Sequence, residues 1–248
     1  MLGPDESSCP LSLSAADLHH AVSVLRLSAG AEIAVVEPEG SAWRVRLTES
    51  APDGLVAEKV ERLGRSPARR ITLVQGVAKG AKVDLVVEKA TELNIEAVMP
   101  VLTERSVVRL DAEKAHGRGE RWRRVAHAAA KQSQRTTVPL VADPVPLSEA
   151  YHSLATFDIV LLVWEGASAT GRGIGQALDE AAATQASRIA LVVGPEGGLS
   201  TEEVCALEAS GARAVTLGDT VLRSETAGIV AAAICVYELG GLGGRPRA

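Results

Sequence analysis

Two short runs of the chain join glycines to ionisable groups in a way that suits ligand binding. Gly194-Pro195-Glu196-Gly197-Gly198 follows the apolar run Leu191-Val192-Val193, and some twenty residues later Leu217-Gly218-Asp219-Thr220-Val221-Leu222-Arg223-Ser224-Glu225-Thr226 opens a helical pattern. In an open α/β sheet ligands sit outside the carboxyl ends of the strands, and glycines there allow close approach to exposed N–H and C=O groups. Glu196, Arg223 and Glu225 are among the titratable groups beside those glycines; a helix-capping role for Glu225 and a surface ion pair for Arg223 compete with any chemical role. These runs define a ligand site without naming the ligand.

A second constellation is basic. Between Arg105 and Arg135 nine basic residues (Arg105, Arg109, Lys114, Arg118, Arg121, Arg123, Arg124, Lys131, Arg135) face three acidic ones (Asp111, Glu113, Glu120), within a chain of formal net charge -5. The overall charge excludes a protein held to nucleic acid by global attraction, so any such partner needs this local face. The competing reading is a solvated helix surface.

The elements that position these residues follow from periodicity. Ser14 with Asp17 reads as a capping box for a helix over 15–25. Glu32 to Glu37, Ala42 to Leu47 and Leu55 to Val60 are β-type runs separated by the turn signals Pro38-Glu39-Gly40 and Pro52-Asp53-Gly54, which predicts a small β-barrel or sheet. Gly64 to Arg70 is polar and contains Gly and Pro; the boundary falls there, giving domains 1–68 and 69–248. Beyond it, strands (71–77, 97–102, 138–141, 158–164, 188–193, 214–217) alternate with helices (82–93, 112–134, 147–154, 174–182, 201–209, 225–239). That alternation predicts a parallel sheet covered on both faces, an α/β fold. Ser200 and Glu203 form a capping box directly after the glycine loop. The last helix is apolar nearly all round yet too short to span a bilayer, so it is expected to be buried on most sides, with another subunit as a candidate partner. Gly171 to Gly175 lacks the spacing of a nucleotide loop and reads as a flexible connection. The tail from Gly240 is expected to fray.

GPEGGLS at 194–200 followed by LGDTVLRSETAG at 217–228 resembles the RsmE-type ribosomal RNA uracil-N3 methyltransferases of the SPOUT superfamily. Lys79-Gly80, Lys89, Glu92-Leu93, Pro100, Glu104-Arg105, Arg121-Trp122, Gln132, Arg135 and Pro139 resemble that family's pattern in order and spacing. HHAVSVLRL at 19–27, followed by Gly30 and a strand, resembles its PUA-like amino-terminal domain. The resemblance implies a PUA-like β-barrel ahead of a parallel-sheet SPOUT domain with a carboxyl-terminal trefoil knot, a rare exception to unknotted chains. It implies S-adenosylmethionine as methyl donor, held by Trp164, Glu165, Gly194, Pro195, Glu196, Gly197, Gly198, Leu217, Gly218, Val221, Leu222 and Arg223. Adenine is flat and mostly apolar, so backbone in a glycine-rich crevice can read it.

The implied reaction is methylation of N3 of a uridine in small-subunit (16S) ribosomal RNA, with Arg26, Lys79, Arg105, Arg121, Gln132 and Arg135 as RNA contacts. Arg223 or Arg135 would stabilise charge on the uracil, and Glu196 or Glu225 would act as base. A homodimer is implied as well, while the odd, widely spaced cysteines fit a reducing cytoplasm. The alternatives are ribose 2′-O or transfer RNA methylation on the same fold, and a non-catalytic ribosome-assembly factor. Asp219 departs from the family, which usually has Arg or another residue there.

Cys9, Cys205 and Cys235 suit neither a disulfide framework nor a zinc site, and His19-His20 lacks a third ligand, so no metal is expected. The start lacks the basic and apolar runs of a signal peptide, and no stretch reaches membrane-spanning length.

Overall fold

The computed structural model describes residues 10–11, 28–36, 42–50, 54–63, 70–135, 137–182 and 188–243. The capped helix at 15–25, Arg26, His19-His20, the linker residues 64–69 and the end of the tail lie outside the described residues. The chain divides into two compact units, Met1–Ser66 and Pro67–Ala248.

Among its described residues the first unit forms a four-stranded antiparallel sheet in the order β1-β4-β3-β2, from β1 (Pro10–Leu11), β2 (Glu32–Val36), β3 (Ala42–Ser50) and β4 (Gly54–Leu63). Period-2 patterning puts Trp43, Val45 and Leu47 of β3 in its core with Ala57 of β4, while Arg44 and Arg46 point outward and pair with Glu61 and Glu32 at 2.7 Å each.

Among its described residues the second unit carries seven parallel strands. These are β5 (Arg70–Gly76), β6 (Ala97–Leu102), β7 (Leu140–Val141), β8 (Val145–Pro146), β9 (Ile159–Val163), β10 (Arg188–Val193) and β11 (Arg213–Val215). Their order is β11-β9-β10-β5-β6-β7, with β8 also pairing β6. Burial of both faces explains the largely apolar sequences of the central strands. Ile71 and Leu73 of β5 with Ile189, Leu191 and Val193 of β10 face one core; Val74, Ala190 and Val192 face the other. The first core is covered by α1 (Lys82–Glu92), α2 (Ala112–Gln132), α4 (Ile174–Ala182) and α6 (Ser224–Glu238). The second is covered by α3 (Leu147–Leu154) and α5 (Thr201–Ala209).

Two features position the site. Connections leave the neighbouring strands β5 and β10 in opposite directions, toward β6 and toward β11, which makes this pair a topological switch point. In addition, β11 lies at the sheet edge beyond β9, yet α6 packs on β5, β10, α1 and α4. Residues 216–223 therefore carry the chain back across the carboxyl ends of β9 and β10, a crossing of the kind a trefoil knot requires. Gly228 lets α6 sit close to the sheet, since a Cβ there would overlap the side-chain oxygen of buried Gln75.

The elements depart from the sequence reading in detail. β1 and β8 are two-residue strands without periodicity to announce them, β11 ends at Val215, and a 3-10 turn spans Glu165–Thr170. Gly171–Gly175, expected as a flexible connection, is instead tied down. Gly173 bridges to Thr216 in parallel fashion, the Thr216 N–H donates to the Arg172 carbonyl at 2.9 Å, and α4 starts at Ile174.

Candidate active site

A cleft of about 450 Å³ opens at the carboxyl ends of β9, β10 and β11. Its walls come from the strand ends Val163 to Glu165, the glycine loop Val193 to Leu199, and the return segment Thr216 to Ser224 with Ala227. The donor-site residues expected from sequence come from all three. Trp164, Glu165, Gly194, Pro195, Glu196, Gly198, Leu217, Gly218, Val221, Leu222 and Arg223 all line it. Gly197 does not: a Cβ there would stand 2.8 Å from the Arg105 carbonyl oxygen, so this glycine permits close packing with the loop after β6. The residues sequence reasoning missed are Lys82, Val163, Val193, Leu199, Thr216, Asp219, Thr220, Ser224 and Ala227. Most are neighbours of the quoted motifs; Lys82 is far from them in sequence and carries no local signal.

Local structure explains the shape. Gly198 (φ +70) and Gly218 (φ +114) have left-handed backbone that side chains rarely adopt. The Ser224 hydroxyl donates to the Gly194 carbonyl at 2.5 Å and accepts from Gln75 Nε2 at 2.9 Å, so β5, the glycine loop and α6 are joined at one point. The capping box of α5 is present, with the Ser200 N–H donating to Glu203 and the Glu203 N–H donating to Ser200 Oγ. Glu203 also accepts from the Glu104 N–H at 2.8 Å, which anchors the loop after β6 to the same region.

Charge concentrates on one side of the cleft. Lys82, the first residue of α1, places Nζ 3.0 Å from Glu196 Oε1 and 3.4 Å from Glu225 Oε2. The Lys79 N–H donates to Glu196 Oε1 at 3.2 Å. Burial acts to raise the Glu196 pKa, but hydrogen bonds from its own backbone, Lys82 and the Lys79 N–H outweigh it and leave the carboxyl below its usual range. The hydrogen bond to Glu196 is also the main reason the Lys82 pKa is raised. Glu225 Oε2 is buried and its approach to Lys82 lacks hydrogen-bond geometry, so it is ion-paired yet unsatisfied as an acceptor. Arg223 caps α6 through its backbone, and its side chain is exposed at the cleft.

The remaining candidates lie elsewhere. Lys79 and Arg105 are exposed in the loops after β5 and β6, on the cleft's edge of the sheet. Arg121 and Trp122 both donate to one carboxylate, Asp84 in the first turn of α1, at 2.5 and 2.9 Å, so this pair pins α2 to α1. Gln132 and Arg135 sit at the carboxyl end of α2, toward the amino-terminal edge of the sheet. Arg135 donates to the Thr91 carbonyl at 3.1 Å, and burial lowers its pKa to about 10. A seven-residue strand at about 3.3 Å per step separates that edge from the cleft by about 20 Å. Arg135 therefore does not join Arg223 at the cleft in one subunit, because α2 runs the length of the sheet away from it. Among the described residues no cluster suits a metal, and no helix is long and apolar enough to cross a membrane.

Known proteins share this arrangement. An RNA methyltransferase domain matches residues 65–236, and an RNA methyltransferase PUA domain matches residues 13–60. Ribosomal RNA small subunit methyltransferase E of Bacillus subtilis (strain 168) is 30% identical over 235 residues, 94% of this chain and 92% of the relative. The chain belongs to the ribosomal RNA small subunit methyltransferase E family. Among solved structures, the family member from Neisseria gonorrhoeae bound to S-adenosyl methionine superposes with a TM-score of 0.72 at 29% identity, covering 94% of each chain. A putative methyltransferase from Legionella pneumophila in complex with the same cofactor gives 0.70 at 25% identity, again over 94% of each. The α/β fold with a small antiparallel sheet at the amino terminus is thus the fold of an RNA methyltransferase.

Proposed function

We propose that the chain transfers a methyl group from S-adenosylmethionine to N3 of a uridine in small-subunit ribosomal RNA. The observation that supports this most is the cleft itself. Its walls are apolar where an adenine would lie (Val163, Val193, Leu199, Leu217, Leu222, Ala227), left-handed glycines expose backbone, and carboxylates stand at its edge. A volume of about 450 Å³ lies within the range of about 300–1,000 Å³ typical of small-molecule sites. Val221, 83% exposed at the cleft, offers further apolar surface to a flat ring.

The donor supplies an electrophilic methyl on a sulfonium, so the protein's task is to orient a nucleophile and manage one proton. Orientation alone can lower a barrier by roughly 7–11 kcal/mol in favourable cases. Uracil N3 carries a proton and must lose it before or during attack, which places negative charge on the neighbouring carbonyl oxygens. Arg223 is the exposed cation of the cleft and is assigned to stabilise that charge. Glu196 is held below its usual pKa by hydrogen bonds, which weakens it as a base and suits it to shaping the loop. Glu225, which does not line the cleft, is ion-paired with Lys82; neither carboxylate is assigned as base, and the N3 proton passes to solvent water at the open cleft. N3 lies on the Watson–Crick edge, so the target uridine is single-stranded or flipped out.

A homodimer, an RNA-binding role for residues 1–68, and action in the cytoplasm, where ribosomal subunits mature, complete the reading. Mass analysis of ribosomal RNA from a strain lacking the gene tests it. Loss of one N3-methyluridine from small-subunit RNA is expected, and loss of a ribose 2′-O-methyl or a transfer RNA methyl group instead overturns it.

A further inference from the structure

Lys82 lies outside the loop motifs that define the cleft, yet it reaches both of them. Its ammonium meets Glu196 in the glycine loop and Glu225 in the first turn of α6, while its own backbone begins α1. We propose that Lys82 is a positioning residue that sets the spacing between the glycine loop and the start of α6 and so fixes the width of the donor cleft. This rests on the reading of the cleft as the S-adenosylmethionine site.

Exposed ion pairs contribute little on average, and a single pair here would carry no such weight. Three features separate Lys82 from that case. It is one cation between two carboxylates from segments about thirty positions apart in sequence, so removing it leaves two like charges converging on one point. The Glu225 side chain is 12% exposed and its Oε2 has no hydrogen bond, so Lys82 supplies the compensation for a carboxylate oxygen cut off from water. The loop held by Glu196 also contains Gly194, Pro195 and Gly198, all of which line the cleft. The Lys79 N–H steadies Glu196 from the same side but carries no net charge to offset Glu225.

Calorimetric titration of the full chain with S-adenosylmethionine tests this, with melting curves to confirm folding. Lys82→Met is expected to raise Kd about tenfold, a size common for coupled neighbouring residues, and Lys82→Arg to stay within about threefold of wild type. Adding Glu225→Gln to Lys82→Met removes the uncompensated charge and is expected to recover part of the loss, which a purely steric role for the lysine would not allow. Glu225→Gln alone severs one arm of the link and is expected to weaken binding by a few-fold, which keeps a measurement available should Lys82→Met fail to fold. Wild-type affinity in Lys82→Met, or in Glu225→Gln alone, overturns the proposal. So does a double variant no better than the single one. A wild-type chain that takes up no S-adenosylmethionine overturns the reading of the cleft as well, and that result is distinct from a wild type that binds beside a Lys82→Met variant that binds equally.

Discussion

The adjacent glycines 197 and 198 have different duties, although the sequence presents them as one motif. Gly198 has φ +70 and lines the cleft; a Cβ there would stand 3.3 Å from Glu165 Oε1. Gly198→Val is therefore expected to remove measurable donor binding by calorimetry, since the branched residue resists that φ and intrudes on the cleft wall. Retained wild-type affinity would place the donor elsewhere. Gly197, expected from the motif to meet the donor, has no positive φ and abuts the Arg105 carbonyl, so Gly197→Val should displace the loop after β6 and affect RNA before donor. Motif spacing puts these glycines at a strand end but cannot say which way each Cα faces, because that depends on a loop contributed by residues about ninety positions earlier. The same limit hides Lys82, whose role emerges only once α1 is packed beside α6.

At the scale of elements, the strands and helices of the second unit are legible in the sequence because period-2 and period-3.6 patterns, caps and glycine breaks agree. The strand order is not, since nothing local states that β11 lies beyond β9 while α6 returns to β5. The basic helix α2 is legible as a charge cluster, but which charges are free for a partner is not. Arg121 is paired with Asp84, Arg123 with Asp143 and Lys114 with Asp111, and Arg135 is tied to the Thr91 carbonyl. Arg105, Arg109 and Arg124 make no ion pair among the described residues. Changing these three to Ala should lower RNA affinity and flatten its dependence on log salt by about 0.7 for each phosphate of single-stranded RNA that is no longer neutralised, with donor affinity unchanged. An unaltered salt slope in filter binding would return this basic stretch, Arg105 and Arg109 before α2 and Arg124 on it, to a solvated surface. A second prediction concerns how α2 is fastened. His116 and Arg123 hold Asp143 at 2.9 and 2.8 Å, and the hydrogen bond to His116 is the largest cause of its lowered pKa. Gly119 makes room for that carboxylate. A depressed carboxyl pKa contributes stability above the unfolded value and loses it as pH falls through the folded value. Asp143→Asn should thus lower the melting temperature at pH 7 and close the gap with wild type below about pH 4. A gap that stays constant with pH would mean the carboxylate's charge contributes nothing.

For the molecule as a whole, the outer side of α6 is a partly exposed apolar surface. The helix buries Gly228, Ala231, Ala232 and Cys235 against the sheet, as its nearly uniform apolar sequence requires. Positions 226, 230, 233 and 237 recur at helical spacing on another face, where Val230 and Ala233 are partly exposed and Tyr237 is 51% exposed. A stripe of this kind on a helix next to the cleft favours burial against a second copy, and a two-fold interface would let α6 pack on its own symmetry mate. Light scattering at micromolar concentration is expected to give twice the 25.8 kDa of one chain. Val230→Glu and Tyr237→Glu, which place charge on the stripe without touching the buried side, should shift the mass to that of a single chain while leaving the melting transition cooperative. A wild-type mass of 25.8 kDa would show that one chain tolerates this face in water. A dimer that survives both substitutions would place the interface on another surface, with α2 the next element to test because its exposed small residues Gly117 and Ala128 would admit a close neighbour.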